Sequence, residues 1–511
     1  MRSKKALYNT IAGLLYEFVA VICGFILPRL ILSAFGSDYN GVTSSITQFL
    51  GYVALMRAGI GGVTRAALYK PLAEGNTEKI SAVVNATEQF LKKVAIIFLF
   101  SLIALALIYP FFIIKNFDYW FSFSLVIILG ISTFSQYYFG LTYQLLLNAD
   151  QRQCVISYVQ IFSTILNTLV AFILIKIGSN IHIVKLGSTI VFSLNPIIIN
   201  WYARKKYKID KTVKPNKDAL AERWDCFGLQ VANFVNSNTD MFVLTIFTNV
   251  FEVSVYTVYY MVTNGIRKIL LTFVNGVGAA FGNMFAKNEE KLIYKNLFVF
   301  EQVTFSLSNI FFGTTIVMIL SFVNIYTHNI NDANYIRPDF AIILIIATLF
   351  GCYRIPYQSI VEAVGHFKKT RNGSFFEAML NIVLSVVLVN FLGLVGVAIG
   401  TLSATVFRTF QYAAYMSKNL IKRSMVFVYK RILISFFEIS AISGIGIIFK
   451  LNIANSIFEW ILKSFTTASF AVIIVLVFEI VFYKNDFYET RNKIKNALKR
   501  RHRHERKIKA V

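Results

Sequence analysis

Residues 6–35 read ALYNTIAGLLYEFVAVICGFILPRLILSAF, and they come directly after a start that contains Arg2, Lys4 and Lys5. A basic start before an apolar run is typical of a secretory signal peptide, whose apolar core has about 7–15 residues. This run is about twice that length and lacks a small-residue cleavage site. Because about 20 apolar residues cross a bilayer as a helix, the stretch predicts a retained first transmembrane helix.

Similar apolar runs recur along the whole chain. Hydrophobic residues make up 56% of the 511 residues and charged residues only 15%, a balance that excludes an ordinary soluble domain. The pattern predicts an all-α polytopic membrane protein with about fourteen transmembrane helices. The predicted spans lie near 6–35, 41–68, 94–114, 121–147, 155–177, 180–203, 226–248, 252–285, 297–325, 338–365, 375–392, 394–416, 431–450 and 457–483.

The formal net charge of +25 is distributed very unevenly. Most Lys and Arg fall at the N-terminus, in the tail and in every second gap between spans. By the positive-inside rule, this bias places both termini in the cytoplasm. Together with an Ile-, Asn-, Lys- and Phe-rich composition, it predicts a multi-pass protein of a bacterial cytoplasmic membrane. The gaps and span ends assigned to the outside contain only Lys115, Lys176, Lys185, Arg337, Lys450 and Lys463.

The predicted organisation has five parts. A six-helix lobe at 1–203 and a second at 226–417 are joined by a basic cytoplasmic linker at 204–225, and 418–483 adds helices 13 and 14. Helices of equal direction at matching positions suggest that the lobes form a parallel repeat. The basic tail at 484–511 is expected to contact anionic lipids. No Phe, Tyr or Trp alternates with its basic residues from Arg491 onward, so nucleic acid is not an expected partner.

Some cationic side chains fall inside the apolar spans, where an embedded charge usually faces a cavity or a partner. Four arginines come about 14–16 residues into inward-running spans, which puts them about 21–24 Å below the outer edge. Such a layer would attract an anionic cargo, since guanidinium groups suit planar phosphate recognition. The alternative is a structural role, in which the arginines extend towards the membrane surface or form ion pairs with Glu17, Asp240 or Glu301. The candidate anion-binding residues are Arg29, Arg57, Arg267, Lys268, Arg354 and Arg408.

Two embedded carboxyl groups, Glu17 and Asp240, are candidates for ion coupling, with Na⁺ or H⁺ as the ion, or for charge compensation of the arginines. No metal site and no cofactor is expected, because the four cysteines stand alone and the histidines form no cluster. The sequence also lacks a Walker lysine motif and a plausible nucleophile–base pair, so we do not expect an enzyme.

Three segments carry a family resemblance: KKALYNTIAGLLY at 4–16 with PRLIL at 28–32, QFLGYVALMRAGIG at 48–61, and LNADQRQ at 147–153. They resemble polysaccharide repeat-unit flippases of the multidrug/oligosaccharidyl-lipid/polysaccharide exporter superfamily. The resemblance implies two six-helix lobes around a central cavity, with the last two helices outside them. It also implies transfer of an undecaprenyl-pyrophosphate-linked oligosaccharide to the outer leaflet, with Arg29, Arg57 and Arg267 placed to contact the pyrophosphate.

Alternatives from other classes stay open. A drug/cation antiporter of the same superfamily would have a cavity dominated by carboxylates. A membrane scaffold without transport would have its embedded charges paired off. An integral-membrane polymerase would need a large external loop, and the longest external gap, near 326–337, is short.

Overall fold

The computed structural model describes residues 2–57, 60–113, 117–216, 238–274, 281, 284–285, 289–364 and 366–483. Regular structure in this part of the chain is helical throughout, as the apolar runs predicted. The first helices are α1 (Arg2–Phe35), α2 (Ser37–Val53), α3 (Ile60–Glu74), α4 (Thr77–Ile108), α5 (Pro110–Ile113), α6 (Tyr119–Ser135), α7 (Leu141–Ala149), α8 (Gln153–Lys176) and α9 (Ile181–Lys206). The later ones are α10 (238–247), α11 (Val250–Val274), α12 (Glu290–Tyr326), α13 (Pro338–Tyr353), α14 (Ile355–Ala363), α15 (Phe367–Leu392), α16 (Leu394–Met416), α17 (Val426–Ile448) and α18 (Ile457–Phe482).

Within the described residues, 11 helical segments are long and apolar enough to cross a membrane. They correspond to the predicted spans 1, 3–6 and 9–14, so the chain is a multi-pass membrane protein. The division of 375–416 into two spans is confirmed, because α15 ends at Leu392 and α16 begins at Leu394. Gly393 between them adopts φ +54°, a left-handed conformation that glycine reaches without a steric penalty.

The other three predicted spans are helical wherever they are described. Span 2 is divided into α2, a 3₁₀ turn at Ala54–Arg57, and α3. Span 7 corresponds to α10, although its first residues, 226–237, lie outside the described residues, as do 217–225 of the predicted linker. Span 8 corresponds to α11, and only fragments of its end after Val274 are described. The tail at 484–511 is outside the described part of the chain, so its predicted lipid contact stays a prediction.

The chain divides into two compact units. The first contains the described residues of Met1–Met261, Asn329–Asn334 and Ser385–Val397. The second contains those of Val262–His328 and Tyr335–Leu384, and the described residues from Ala398 onward. The predicted linker at 204–225 and the two six-helix lobes remain predictions.

In the first unit, α1 packs against α8 and α8 against α9, while α2, α4 and α6 enclose an apolar core that includes Ile46, Phe98 and Leu125. Polar side chains line the contact of α2 with α10 and α11. At this contact Gly41 lies so close to the carbonyl of Val250 that an added Cβ would collide with it. The hydrogen-bonded pairs are Asn40 with Ser254 (2.8 Å), Ser45 with Thr245 (2.8 Å), and Gln48 with Asn238.

In the second unit, α12 is the central helix. It packs against α13, α17 and α18, and α17 also packs against α18. Val317 and Met318 of α12 form an apolar core with Ile442 of α17 and with Ala471 and Val475 of α18. The last two helices are therefore attached to the second unit through α12.

Candidate functional site

An arginine cluster in the second unit is built around one carboxylate. Arg354 lies between α13 and α14, and its Nη1 donates to Glu377 Oε1 of α15 at 2.7 Å. Arg408 of α16 approaches the other oxygen of Glu377, with its Nε 3.4 Å from Oε2. The side chains of Glu377 and Arg408 are 6% and 2% exposed. Glu377 thus balances only one of two guanidinium charges, that of the buried Arg408 or that of Arg354, which is 13% exposed, and this favours an anion nearby.

Arg408 is held by several further acceptors. Its guanidinium donates to the Thr370 carbonyl at 3.0 Å, to Ser374 Oγ at 2.5 Å and to Tyr412 Oη at 2.9 Å, and also contacts Gln411. Its Cζ lies 4.1 Å from the centre of the Tyr412 ring, a cation–π contact. Because its donors are already engaged, Arg408 is suited to fixing Glu377, and its predicted part in anion binding stays a prediction.

Gly373 makes this close approach possible. It lies on α15 where α16 crosses, and an added Cβ would collide with the side chains of Gln411 and Arg408. A residue with a side chain at this position would push the Arg408 guanidinium away from α15. The glycine therefore leaves room for the side chains of Gln411 and Arg408 against α15.

Arg267 of α11 extends the cluster. Both Arg267 and Arg354 lie within electrostatic range of Cys352, at the end of α13. The Nε atoms of Arg267 and Arg354 are buried and have no hydrogen-bond partner among the described residues. Lys268 follows Arg267 and is exposed. Two buried donors without acceptors are suited to an anionic ligand, because an unsatisfied charged donor is costly in a low-dielectric environment.

The remaining predicted residues belong to the first unit. Arg29 and Glu17 are half-buried on α1, and Asp240 on α10 is buried and accepts a hydrogen bond from Tyr256 Oη at 2.9 Å. Arg57 ends the 3₁₀ turn that interrupts span 2, but its side chain lies outside the described residues. The site roles of these four residues remain predictions.

Sequence reasoning missed Glu377, although it lies inside a predicted span and was visible there as an embedded charge. It also missed the pairing of Glu301 with Arg423, whose Nη1 donates to Glu301 Oε2 at 2.8 Å. Within the described part of the chain, no group of three or more His, Cys, Asp and Glu residues could hold a metal ion.

Long apolar helices, with charged side chains among them, define the class of this protein: a multi-pass helical membrane protein. Solved structures give the particular fold. The chain is similar to a lipid II flippase, MurJ, in an inward closed conformation, with a TM-score of 0.68 and 16% identity over 94% of this chain and 99% of that one. An inward-facing multidrug resistance MATE transporter of the MOP superfamily gives a TM-score of 0.61 and 13% identity over 80% of this chain and 97% of that one.

A MOP superfamily transporter from Pyrococcus furiosus, described as having a binding pocket of reverse polarity, gives a TM-score of 0.61 and 12% identity over 82% of this chain and 97% of that one. No family model matches the chain, and no curated protein matches it significantly. These likenesses show that the chain has the fold of the MOP superfamily transporters. Flippases and transporters are among the proteins with this fold.

Proposed function

We propose that this protein moves an undecaprenyl-pyrophosphate-linked oligosaccharide repeat unit from the cytoplasmic to the outer leaflet of a bacterial cytoplasmic membrane. Transport would proceed by alternating access, with both termini in the cytoplasm. The observation that carries the proposal is the arginine cluster, where the Nε donors of Arg267 and Arg354 are buried without acceptors among the described residues. A pyrophosphate supplies the acceptor oxygens that such donors require.

The fold supports the same proposal. The flippase to which the chain is similar is described as acting on lipid II, and the likeness covers nearly the full length of both chains. A lipid-linked sugar demands a polar environment for its head while its tail stays in the bilayer. Cationic groups inside the membrane lower the barrier to moving two phosphates, and a change between two conformations would open the site to each side in turn.

The first test is translocation of a lipid-linked oligosaccharide by the protein in proteoliposomes. Arg267→Gln and Arg354→Gln each remove a charged donor worth about 1.5–3 kcal/mol, so transport should fall by about 10-fold or more. Arg371→Gln is the matched control, because Arg371 is an exposed arginine on α15. Wild-type transport in the Arg267→Gln/Arg354→Gln double variant would contradict the proposed site.

A drug/cation antiporter is the second candidate. Buried carboxyl groups favour it, since Asp240, Glu301 and Glu438 are all at most 6% exposed, and MATE transporters share the fold. A cationic dye assayed in the same proteoliposomes separates the two functions. Dye transport without sugar-lipid transport would replace the flippase by the antiporter, and transport of neither would favour the scaffold.

A further inference from the structure

Two buried carboxyl groups of the second unit lie apart from the arginine cluster. Glu438 of α17 is 3% exposed and Glu479 of α18 is 5% exposed. Both face α12: Gln302 Nε2 and Ser306 Oγ donate to Glu479 at 2.6 and 2.8 Å, and Asn309 Nδ2 donates to Glu438 Oε2 at 2.5 Å. The three donors are spaced four and three residues apart, so they share one face of α12.

The amide of Asn309 donates to Glu438 and has two hydroxyl neighbours. Its Oδ1 accepts the hydroxyl of Tyr353, and its Nδ2 also donates to Ser435 Oγ at 2.9 Å. Glu438 therefore meets an N–H group from α12 rather than a carbonyl oxygen. A bound metal cation would need an oxygen ligand at this position. Because the amide nitrogen of Asn309 faces Glu438 instead, a metal site here is disfavoured.

A buried arginine lies near the carboxyl group of Glu438. Arg431 of α17 is 4% exposed, and its guanidinium lies between aromatic rings, 4.9 Å from the ring centre of Phe298 and 4.7 Å from that of Tyr483. It lies within electrostatic range of Glu438, as does Glu479. Its Nη1 is buried without a hydrogen-bond partner in the described structure. We call Glu438, Glu479 and Arg431 the carboxyl site.

The other charged and titratable groups around the carboxyl site do not neutralise Glu438. Among the described residues, no cation is in ion-pair contact with it. Arg423 is engaged by both oxygens of Glu301, and the exposed Lys430 lies 5.5 Å from the ring centre of Tyr483. The groups that face the site are Glu301 from α12, Tyr353 and Tyr357 from α13 and α14, Arg423 from the segment before α17, Lys430 and Arg431 from α17, and Glu479 and Tyr483 from α18.

Two neighbouring carboxyl groups in a low-dielectric interior cannot both ionise without a large energetic penalty. Arg431 makes no ion-pair contact with Glu438, so it relieves only part of this penalty. A proton is the smallest neutralising ligand, and it turns a carboxylate into an acid that still accepts the Asn309 hydrogen bond. Coupled carboxyl pairs of this kind take up and release protons as a unit.

We propose that the carboxyl site binds one exchangeable proton, carried mainly by Glu438, and that the site is the proton-coupling site of this protein. The step is a plain acid–base equilibrium in which a carboxylate gains or loses H⁺ from water. Proton binding rests on the carboxyl site alone. The coupling part rests on the proposed function, since it assigns the ion that drives that transport.

Infrared spectroscopy of the full-length protein in lipid nanodiscs tests the proton site without any transport assay. At neutral pH, the wild-type spectrum should contain the carbonyl band of a protonated carboxylic acid. Glu438→Gln should lose that band, and Glu459→Gln should keep it, because Glu459 is partly exposed and paired with Lys463 at 2.8 Å. Equal bands in the wild type and in Glu438→Gln would overturn the proposal.

A second variant covers the case in which Glu438→Gln does not fold. Arg431→Gln removes the cation that favours the ionised carboxylate, so the acid band should persist to higher pH than in the wild type. An unchanged titration would show that Arg431 does not act on a protonated carboxyl, and would overturn the proposed site.

Proteoliposomes then test the coupling. Sugar-lipid transport by the wild type should respond to an imposed pH gradient, and transport by Glu438→Gln should not. An unchanged gradient response in Glu438→Gln would overturn the coupling role. If even the wild type moved no sugar lipid, the proposed function would fail, while the infrared result would still decide the proton site.

Discussion

At the residue scale, the single carboxylate of Glu377 is the counter-charge of two arginines. Arg354 and Arg408 are both held by its carboxylate, and they come from different helices. Glu377→Gln leaves the buried Arg408 and the partly exposed Arg354 without a counter-charge, so we expect it to destabilise the protein by about 3 kcal/mol. Thermal unfolding of the purified protein in detergent checks this as a clear fall in Tm.

The partner variant separates loss of charge from loss of packing. Combining Glu377→Gln with Arg354→Gln removes one of the uncompensated charges, so the double variant should recover part of the lost Tm. A Tm of Glu377→Gln equal to that of the wild type would show that the carboxylate does not stabilise the cluster.

At the element scale, the contact of α2 with α11 requires a residue without a side chain, Gly41, on α2. Gly41→Ala would force the α2 backbone away from the Val250 carbonyl and separate the polar pairs beside it. Overpacking of this kind costs about 1–3 kcal/mol, so Tm should fall. Gly13→Ala on α1 is the matched control, because its added Cβ meets nothing within 4 Å, and alanine there should be neutral or slightly stabilising. Equal stability of the two variants would contradict the close crossing.

At the scale of the whole molecule, the predicted orientation can be read from one helix. Lys422 and Lys450 flank α17 and share a left-handed backbone, with φ 52° and 51°. They should lie on opposite sides of the membrane, Lys422 in the cytoplasm. In a cysteine-free background, a membrane-impermeant maleimide added to intact cells should label Lys450→Cys and not Lys422→Cys. The reverse pattern would invert the topology, and lysed cells, in which both positions react, serve as the control.

The sequence by itself determined the helical class, the positions of the spans and the split at Gly393, because span length and apolar character are local properties of the chain. It also located Arg354 and Arg408 inside spans. Only the tertiary structure decided what those charges do. Glu377 holds Arg354 from 23 residues away, and Gln302 meets Glu479 over a separation of 177 residues. The physical reason is that hydropathy measures the tendency of a segment to enter the membrane, whereas the state of an embedded charge depends on which helix faces it.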